Sequence, residues 1–297
     1  MCKSLAAESM KKYYEIAGIG FEIERSAENM FADERTLAPF RIEEVTDPHR
    51  FSFEFVEQLK PPIGGCIAAE AALQIYAIPG GTVRYIGAMA SAWDSAYIRV
   101  EHRDKEHWVQ LKKSAFPGDA GSKTVLNSLA AEHLVARNGG FVFHSSYIEY
   151  GGNAILFTAP SGTGKSTQAA LWERYRSAEI INGDRSAVRF LDGEAVACGI
   201  PFAGSSNICK NKTLPLAAIV YLKQAPENRI RRLRGAEAFR RIWEGCSVNT
   251  WDKDDVAAVS DTVQQVIGAV PVYELACTPD ESAVSILEET LKQEGIL

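Results

Sequence analysis

The sequence predicts an α/β protein in which a β-rich first part precedes an α/β domain built around a phosphate-binding loop. Three observations carry this prediction. Apolar and polar residues alternate at every second position through several stretches before residue 113. After residue 121 the alternation gives way to helical patterns interleaved with apolar strands. Residues 159–166 read Ala-Pro-Ser-Gly-Thr-Gly-Lys-Ser, with an apolar strand pattern before them and a helical pattern after.

The elements follow in order. Strands are expected over 21–25, 41–45 and 51–56. Residues 75–78 and 82–86 flank Pro79-Gly80-Gly81, a hairpin turn. Residues 97–103 and 107–113 flank Asp104-Lys105-Glu106. In that pair Ile98 and Val100 alternate with Arg99 and Glu101, and Val109 and Leu111 with Gln110 and Lys112, so one sheet face is expected to be wet. A loop over 117–121 leads into a helix over 122–137, with Ser122 as its cap and Asn138-Gly139-Gly140 as its stop. Strands over 141–150 and 154–158 enclose a turn at 151–153. The glycine-rich loop follows, then a helix to about residue 176 and a strand over 179–182. Residues 187–191 and 194–198 flank Asp192-Gly193, a strong hairpin signal. The remainder reads as a strand over 216–222, helices over 236–245 and 254–267, a strand over 271–276 and a last helix from 281. At 297 residues the chain accommodates two domains. They are expected over 1–121, β-rich and available for substrate selection, and over 122–297.

Residues 161–167 carry the chemistry of a phosphate site. Gly162 and Gly164 allow backbone N–H groups to turn inward around a phosphate. The N-terminus of the following helix adds partial positive charge. Lys165 supplies a point charge for the β- and γ-phosphates, and Ser166 a hydroxyl for Mg²⁺. Ser161, Thr163 and Thr167 complete the binding segment. The one departure from the phosphate-loop pattern is Ala159 in place of its first glycine. Binding of ATP or GTP together with Mg²⁺ is therefore expected, with ATP the cofactor that the resemblance given below implies. A carboxylate is needed beside such a loop, and Asp184 ends the next strand, in Ile-Ile-Asn-Gly-Asp-Arg. Arg185 follows it as a candidate for touching phosphate. The arginines at 229, 231, 232, 234, 240 and 241 read as a solvated helix start rather than an anion grip.

A phosphate loop followed by an antiparallel hairpin resembles the HPr kinase/phosphorylase and PEP carboxykinase superfamily. The resemblance rests on Phe143-His144-Ser145, the strand Ile155-Leu156-Phe157, the loop Ser161-Gly162-Thr163-Gly164-Lys165-Ser166, the segment Gly183-Asp184-Arg185 and the loop Gly204-Ser205-Ser206. It covers about residues 122–225 and implies a mixed-sheet phosphate-loop fold. It further implies that Lys165 and the loop amides bind ATP, that Ser166 ligates Mg²⁺, that Asp184 is general base or metal ligand, and that His144 lies beside the phosphates. HPr kinases carry two aspartates where this chain has Gly183 and Asp184. That difference leaves the division between base and metal ligand open and weakens the case for phosphorolysis.

The expected function is ATP-dependent transfer of the γ-phosphate to a hydroxyl of a small protein, peptide or metabolite. The rivals are an ATP-binding sensor or scaffold, an adenylylsulfate kinase-like enzyme, and PEP carboxykinase-like decarboxylation, for which no metal-binding set can be assembled. With 32 Lys and Arg against 38 Asp and Glu, the net charge of −6 argues against nucleic acid as a partner. No run of 18 apolar residues and no apolar core of a signal peptide is present, so a cytoplasmic protein without membrane contact is expected. Homo-oligomerisation is left open. The six cysteines, Cys2, Cys66, Cys198, Cys209, Cys246 and Cys277, lack zinc-site spacing and are expected to be reduced. His49, His102, His107 and His133 are expected to be surface or packing residues.

Overall fold

The computed structural model describes residues 9–26, 35–70, 72–87, 93–116 and 121–297. Cys2 and residues 117–120 of the expected interdomain loop lie outside them. The chain divides into two compact units, Met1–Ala130 and Ala131–Leu297, so the division falls after the first short helix of the expected second domain. Each unit is a mixed sheet, and the second also carries five of the six α-helices found among the described residues.

The first unit holds β1 (Ser9–Ile16), β2 (Ile19–Ser26), β3 (Arg41–Ile42), β4 (His49–Val56), β5 (Cys66–Glu70), β6 (Leu73–Ile78), β7 (Gly81–Ile86), β8 (Ile98–Arg103) and β9 (Glu106–Lys112), and then α1 (Ser122–Ser128). Among the described residues these strands form one sheet in the order β3-β1-β2-β4-β9-β8-β7-β6-β5. β4 runs parallel to both β2 and β9, and the other neighbours are antiparallel. Two strands were not expected. The β1–β2 turn places Ala17 and Gly18 at φ 52° and 72°, a two-residue hairpin geometry that an alanine does not advertise. β5 is a largely exposed edge strand without alternation. One sheet face buries Phe51, Phe53, Val100 and Val109. His107 is buried there too, stacked on Phe51 at 4.1 Å, with its ring nitrogens 3.1 Å from His49 and 2.9 Å from His102. The opposite face is not simply wet. Gln110 accepts a hydrogen bond from the Lys60 backbone, and the Tyr85 hydroxyl donates to the Lys60 carbonyl, so the segment after β4 covers part of it.

The expected helix over 122–137 is two helices. Ala130 at φ 52° breaks it between α1 and α2 (Ala131–Arg137). The second unit continues with β10 (Gly140–Tyr150), β11 (Asn153–Thr158), α3 (Lys165–Arg176), β12 (Glu179–Asn182), β13 (Arg185–Leu191), β14 (Glu194–Gly199), β15 (Thr213–Gln224), β16 (Arg229–Leu233), α4 (Gly235–Trp243), β17 (Cys246–Ser247), α5 (Lys253–Ala269), β18 (Val272–Cys277) and α6 (Glu281–Gln293). The Asp192-Gly193 turn, at φ 50° and 86°, joins β13 and β14 as an antiparallel hairpin. No crossover helix lies between β12 and β13, and this sets aside the adenylylsulfate kinase-like arrangement.

β10 organises this unit. Its first half pairs with β13, while its second half is flanked by β11 on one side and β12 on the other. β15 pairs antiparallel with β14 near its start, then parallel with β11 and β18. The path β10-β13-β14-β15-β11-β10 thus closes on itself. One core gathers Phe141, Tyr147, Val188, Ile219, Val263 and their neighbours, and a second gathers Phe157, Trp172, Val220, Leu275 and Leu287. The basic run at 229–234 is a strand rather than a helix start: β16 lies beside β18, and Arg231 and Arg232 pair with Glu274, Glu237 and Glu294. Arg229 pairs with Glu227 as well, so three of the four arginines of the run are engaged in ion pairs rather than in an anion site. Among the described residues no two cysteines are joined in a disulfide. Among the described residues no helix is long and apolar enough to cross a membrane.

Candidate active site

Strand register brings the site together. β11 and β12 are both antiparallel to β10, so they run parallel to each other with β10 between them. Thr158 is opposite Ser145, and Asn182 opposite Tyr147. The segments leaving β11 and β12 therefore emerge at the same end of the sheet, beside His144. The glycine-rich loop follows β11, and Gly183-Asp184 follows β12. The Thr158 hydroxyl donates to the His144 carbonyl at 3.0 Å, and the Ser145 N–H donates to the Asp184 carbonyl at 3.0 Å.

Gly162 and Gly164 adopt φ 78° and 120°, conformations that favour glycine. Apart from their chain neighbours, no atom lies within 4 Å of where a Cβ would sit on either residue, so the need for glycine here is conformational rather than steric. α3 begins directly after Gly164, and no side chain caps it. Its first-turn N–H groups face the loop without a side-chain acceptor, an arrangement suited to an anion. Lys165 is 7 % exposed and its Nζ donates to the Ala159 carbonyl at 3.0 Å. Burial lowers its pKa, and Asp184 opposes that shift. The Ser166 hydroxyl is exposed and makes a 3.5 Å contact with the Gly183 carbonyl. Ser161 and Thr167 are exposed as well.

The Asp184 carboxylate stands 3.6 Å from His144 Nε2 and 3.6 Å from Arg185 Nε. Burial lowers the His144 pKa, with Lys165 and Arg185 adding to the shift and Asp184 opposing it, a direction that favours the neutral imidazole. His144, Ser161, Gly162, Gly164, Lys165 and Ser166, together with Thr167, Asp184 and Ser206, line one cavity of about 290 Å³. A second cavity of about 380 Å³ shares Gly162, Gly164 and Thr167 with the first, and its walls include Thr163, Gln168, Leu222, Gln224 and Cys277. Gln168 is 2 % exposed, and its Nε2 has no hydrogen-bond partner among the described residues. Arg185 is exposed and is not among the residues that line the first cavity.

Two positioning features escaped the sequence. Asn182 is fully buried. Its Oδ1 accepts the N–H groups of Asp184 and Arg185 at 2.9 and 3.0 Å, and its Nδ2 donates to the Ile200 carbonyl at 2.7 Å. It holds the turn that presents Asp184, the role an asparagine takes in an Asx turn, and Asn-Gly-Asp was its only signal. The short 3-10 helix Gly204–Ser206 presses on that turn from outside. A Cβ on Gly204 would lie 2.6 Å from Asp184 Cβ, and one on Gly183 would lie 2.3 Å from Ser206 Oγ. The space a side chain at position 183 would need is thus filled by Ser206.

No family model matches the chain, and no curated protein matches it. Solved structures that match include the Hpr(Ser) kinase/phosphatase from Coxiella burnetii. It is 12 % identical with a TM-score of 0.30, and the match covers 52 % of this chain and 93 % of that one.

Proposed function

We propose that the second unit binds Mg·ATP and transfers the γ-phosphate to a hydroxyl acceptor. The observation that carries this reading is convergence: a buried lysine, an exposed serine, a carboxylate and a histidine share one cavity at the uncapped start of α3. The donor set suits a polyphosphate. An anion inside the loop would gain the Gly164–Thr167 amides and the Lys165 ammonium, offsetting the burial that now disfavours that charge. The larger cavity that shares the loop would take the nucleoside, with the unpartnered Gln168 amide as a donor for it. Ser166 and Asp184 would hold Mg²⁺, which supplies charge neutralisation on the β- and γ-phosphates.

In the transfer, the acceptor oxygen bonds to the γ-phosphorus as the bridging bond to the β-phosphate breaks and ADP leaves. The acceptor proton goes to the Asp184 carboxylate oxygen that is not committed to Mg²⁺, and His144 lines the same cavity 3.6 Å from that carboxylate. Most of the acceleration would come from placement and charge stabilisation. One observation favours the rival, a nucleotide sensor without transfer: Gly183 offers no second carboxylate, and Ser206 fills the space for one. Asp184→Asn separates the two readings. A kinase variant keeps measurable ATP binding and loses about 10²–10⁴ in phosphate release or transfer. If wild type neither hydrolyses nor transfers phosphate while binding ATP, the sensor reading holds. If it does not bind ATP, both readings fall.

A further inference from the structure

The first unit carries a cavity of about 240 Å³ on the sheet face opposite Phe51 and Phe53. Two cross-strand rows build it. Arg99, Gln110 and Glu54 lie side by side on β8, β9 and β4, and Glu101 and Trp108 form the next row. Arg103 and Lys60 close the sides.

Arg99 is a long cation only 5 % exposed. Its terminal nitrogen donates to Glu101 at 2.7 Å, but its Nε–H, also buried, finds no acceptor among the described residues. A buried donor without a partner costs free energy in a folded protein and calls for an explanation. Neither carboxylate in the cavity supplies the missing acceptor. Glu101 receives both Arg99 and Arg103, and although burial raises its pKa, those two arginines hold it below the usual range. Glu54 receives the Gln110 amide at 2.8 Å. Counted over its lining residues, the cavity has three cations, Lys60, Arg99 and Arg103, against two carboxylates, Glu54 and Glu101. Trp108 is 43 % exposed, a large apolar surface amid these charges.

We propose that this cavity is a binding site for a carboxylate on a short apolar stem, either a small organic acid or an acidic side chain of a peptide. The carboxylate completes Arg99 and lies between Arg103 and Lys60, while the stem covers the Trp108 ring. A volume of about 240 Å³ corresponds to roughly eight waters at ~30 Å³ each, the size of one such group. The site uses no residue of the second unit, so it stands or falls apart from the nucleotide reading.

The test is a titration of the full-length protein with glutarate, with an N-acetylated, C-amidated pentapeptide containing one glutamate, and with glutaramide as the neutral control. It is followed by NMR at the Arg99 Nε–H and Trp108 indole resonances. We expect saturable shifts at both with glutarate or the peptide, and at least tenfold weaker response to glutaramide. The probe that saturates at lower concentration identifies the source. Arg103→Ala and Trp108→Ala lie at the rim and should fold, and each should weaken binding at least fivefold. Arg99→Lys keeps the charge but moves the donor, and should abolish the response. Absence of a saturable shift with either carboxylate probe, equal response to glutaramide, or unchanged affinity in both rim variants would overturn the proposal.

Discussion

The second unit contains two clusters made of the same parts, a histidine, an aspartate and a cation, and they differ in how fully the aspartate is satisfied. At one end, the Asp255 side chain is 1 % exposed and takes hydrogen bonds from His133, Arg137 and Asn249, each at 2.8 Å. Burial raises its pKa, but hydrogen bonds from His133, Asn249 and Arg137 and the His133 charge bring it below the ordinary value. Asp252 caps α5 and takes Arg137 as well. The ligand atoms of His133, Asp252 and Asp255 are close enough together to hold a metal ion, but Arg137 already bonds both carboxylates. At the other end, the Asp184 side chain is 34 % exposed, its nearest cationic atoms are 3.6 Å away, and it lines a cavity. A saturated cluster stabilises a fold; an open one has bonding capacity left for a ligand.

Four tests sharpen that contrast, from the largest effect down. Asp184→Asn should lower phosphate turnover by about 10²–10⁴ and leave thermal stability nearly unchanged, since no short hydrogen bond is lost. Paired turnover and melting measurements check this. Asp255→Ala should do the reverse. Removing one partner of a buried ion pair costs about 3–5 kcal/mol, read from the denaturation midpoint, while nucleotide affinity of the folded protein stays at the wild-type level. Equal stability losses at the two aspartates would erase the distinction.

Gly183→Ala should cost about 1–3 kcal/mol, because its methyl would meet Ser206 Oγ. Adding Ser206→Gly should recover part of that loss, so a double-mutant cycle should be clearly non-additive. Additive losses would mean that Ser206 does not occupy that space. The smallest effect concerns acid. The folded-state pKa of His144 lies below 6.5, so the unfolded chain binds that proton first. Its effect on stability is absent above pH 6.5 and becomes a loss as pH falls below it. His144→Gln should flatten the stability-against-pH curve in that acid window, and an unchanged slope would contradict the assignment.

The parts of this site that depend on local chemistry were legible in the sequence. Gly162, Gly164 and Lys165 announce an open loop before a helix, and Asp192-Gly193 announces the hairpin that keeps β13 antiparallel. What was not legible depends on residues far apart in the chain. Ser206 fills the space beside Gly183, and Asn182 reaches to Ile200, neither of which follows from neighbouring residues. Local conformations adopted by unadvertised residues were missed too: Ala17 turns β1 into β2, and Ala130 splits the expected helix. The arginines of β16 hid a strand, because their partner Glu274 belongs to β18. Arg99 read as one member of an exposed row, whereas the segment around Lys60 covers that row and leaves a buried donor.

The central claim, that the open cluster exists to hold a nucleotide phosphate, is tested most directly by calorimetric titration of Mg·ATP into wild type and Lys165→Ala, with melting curves of both. The account predicts saturable binding to wild type, at least tenfold weaker binding to the variant, and closely similar melting curves. Absence of binding to wild type, or equal affinity in a folded Lys165→Ala protein, would contradict it.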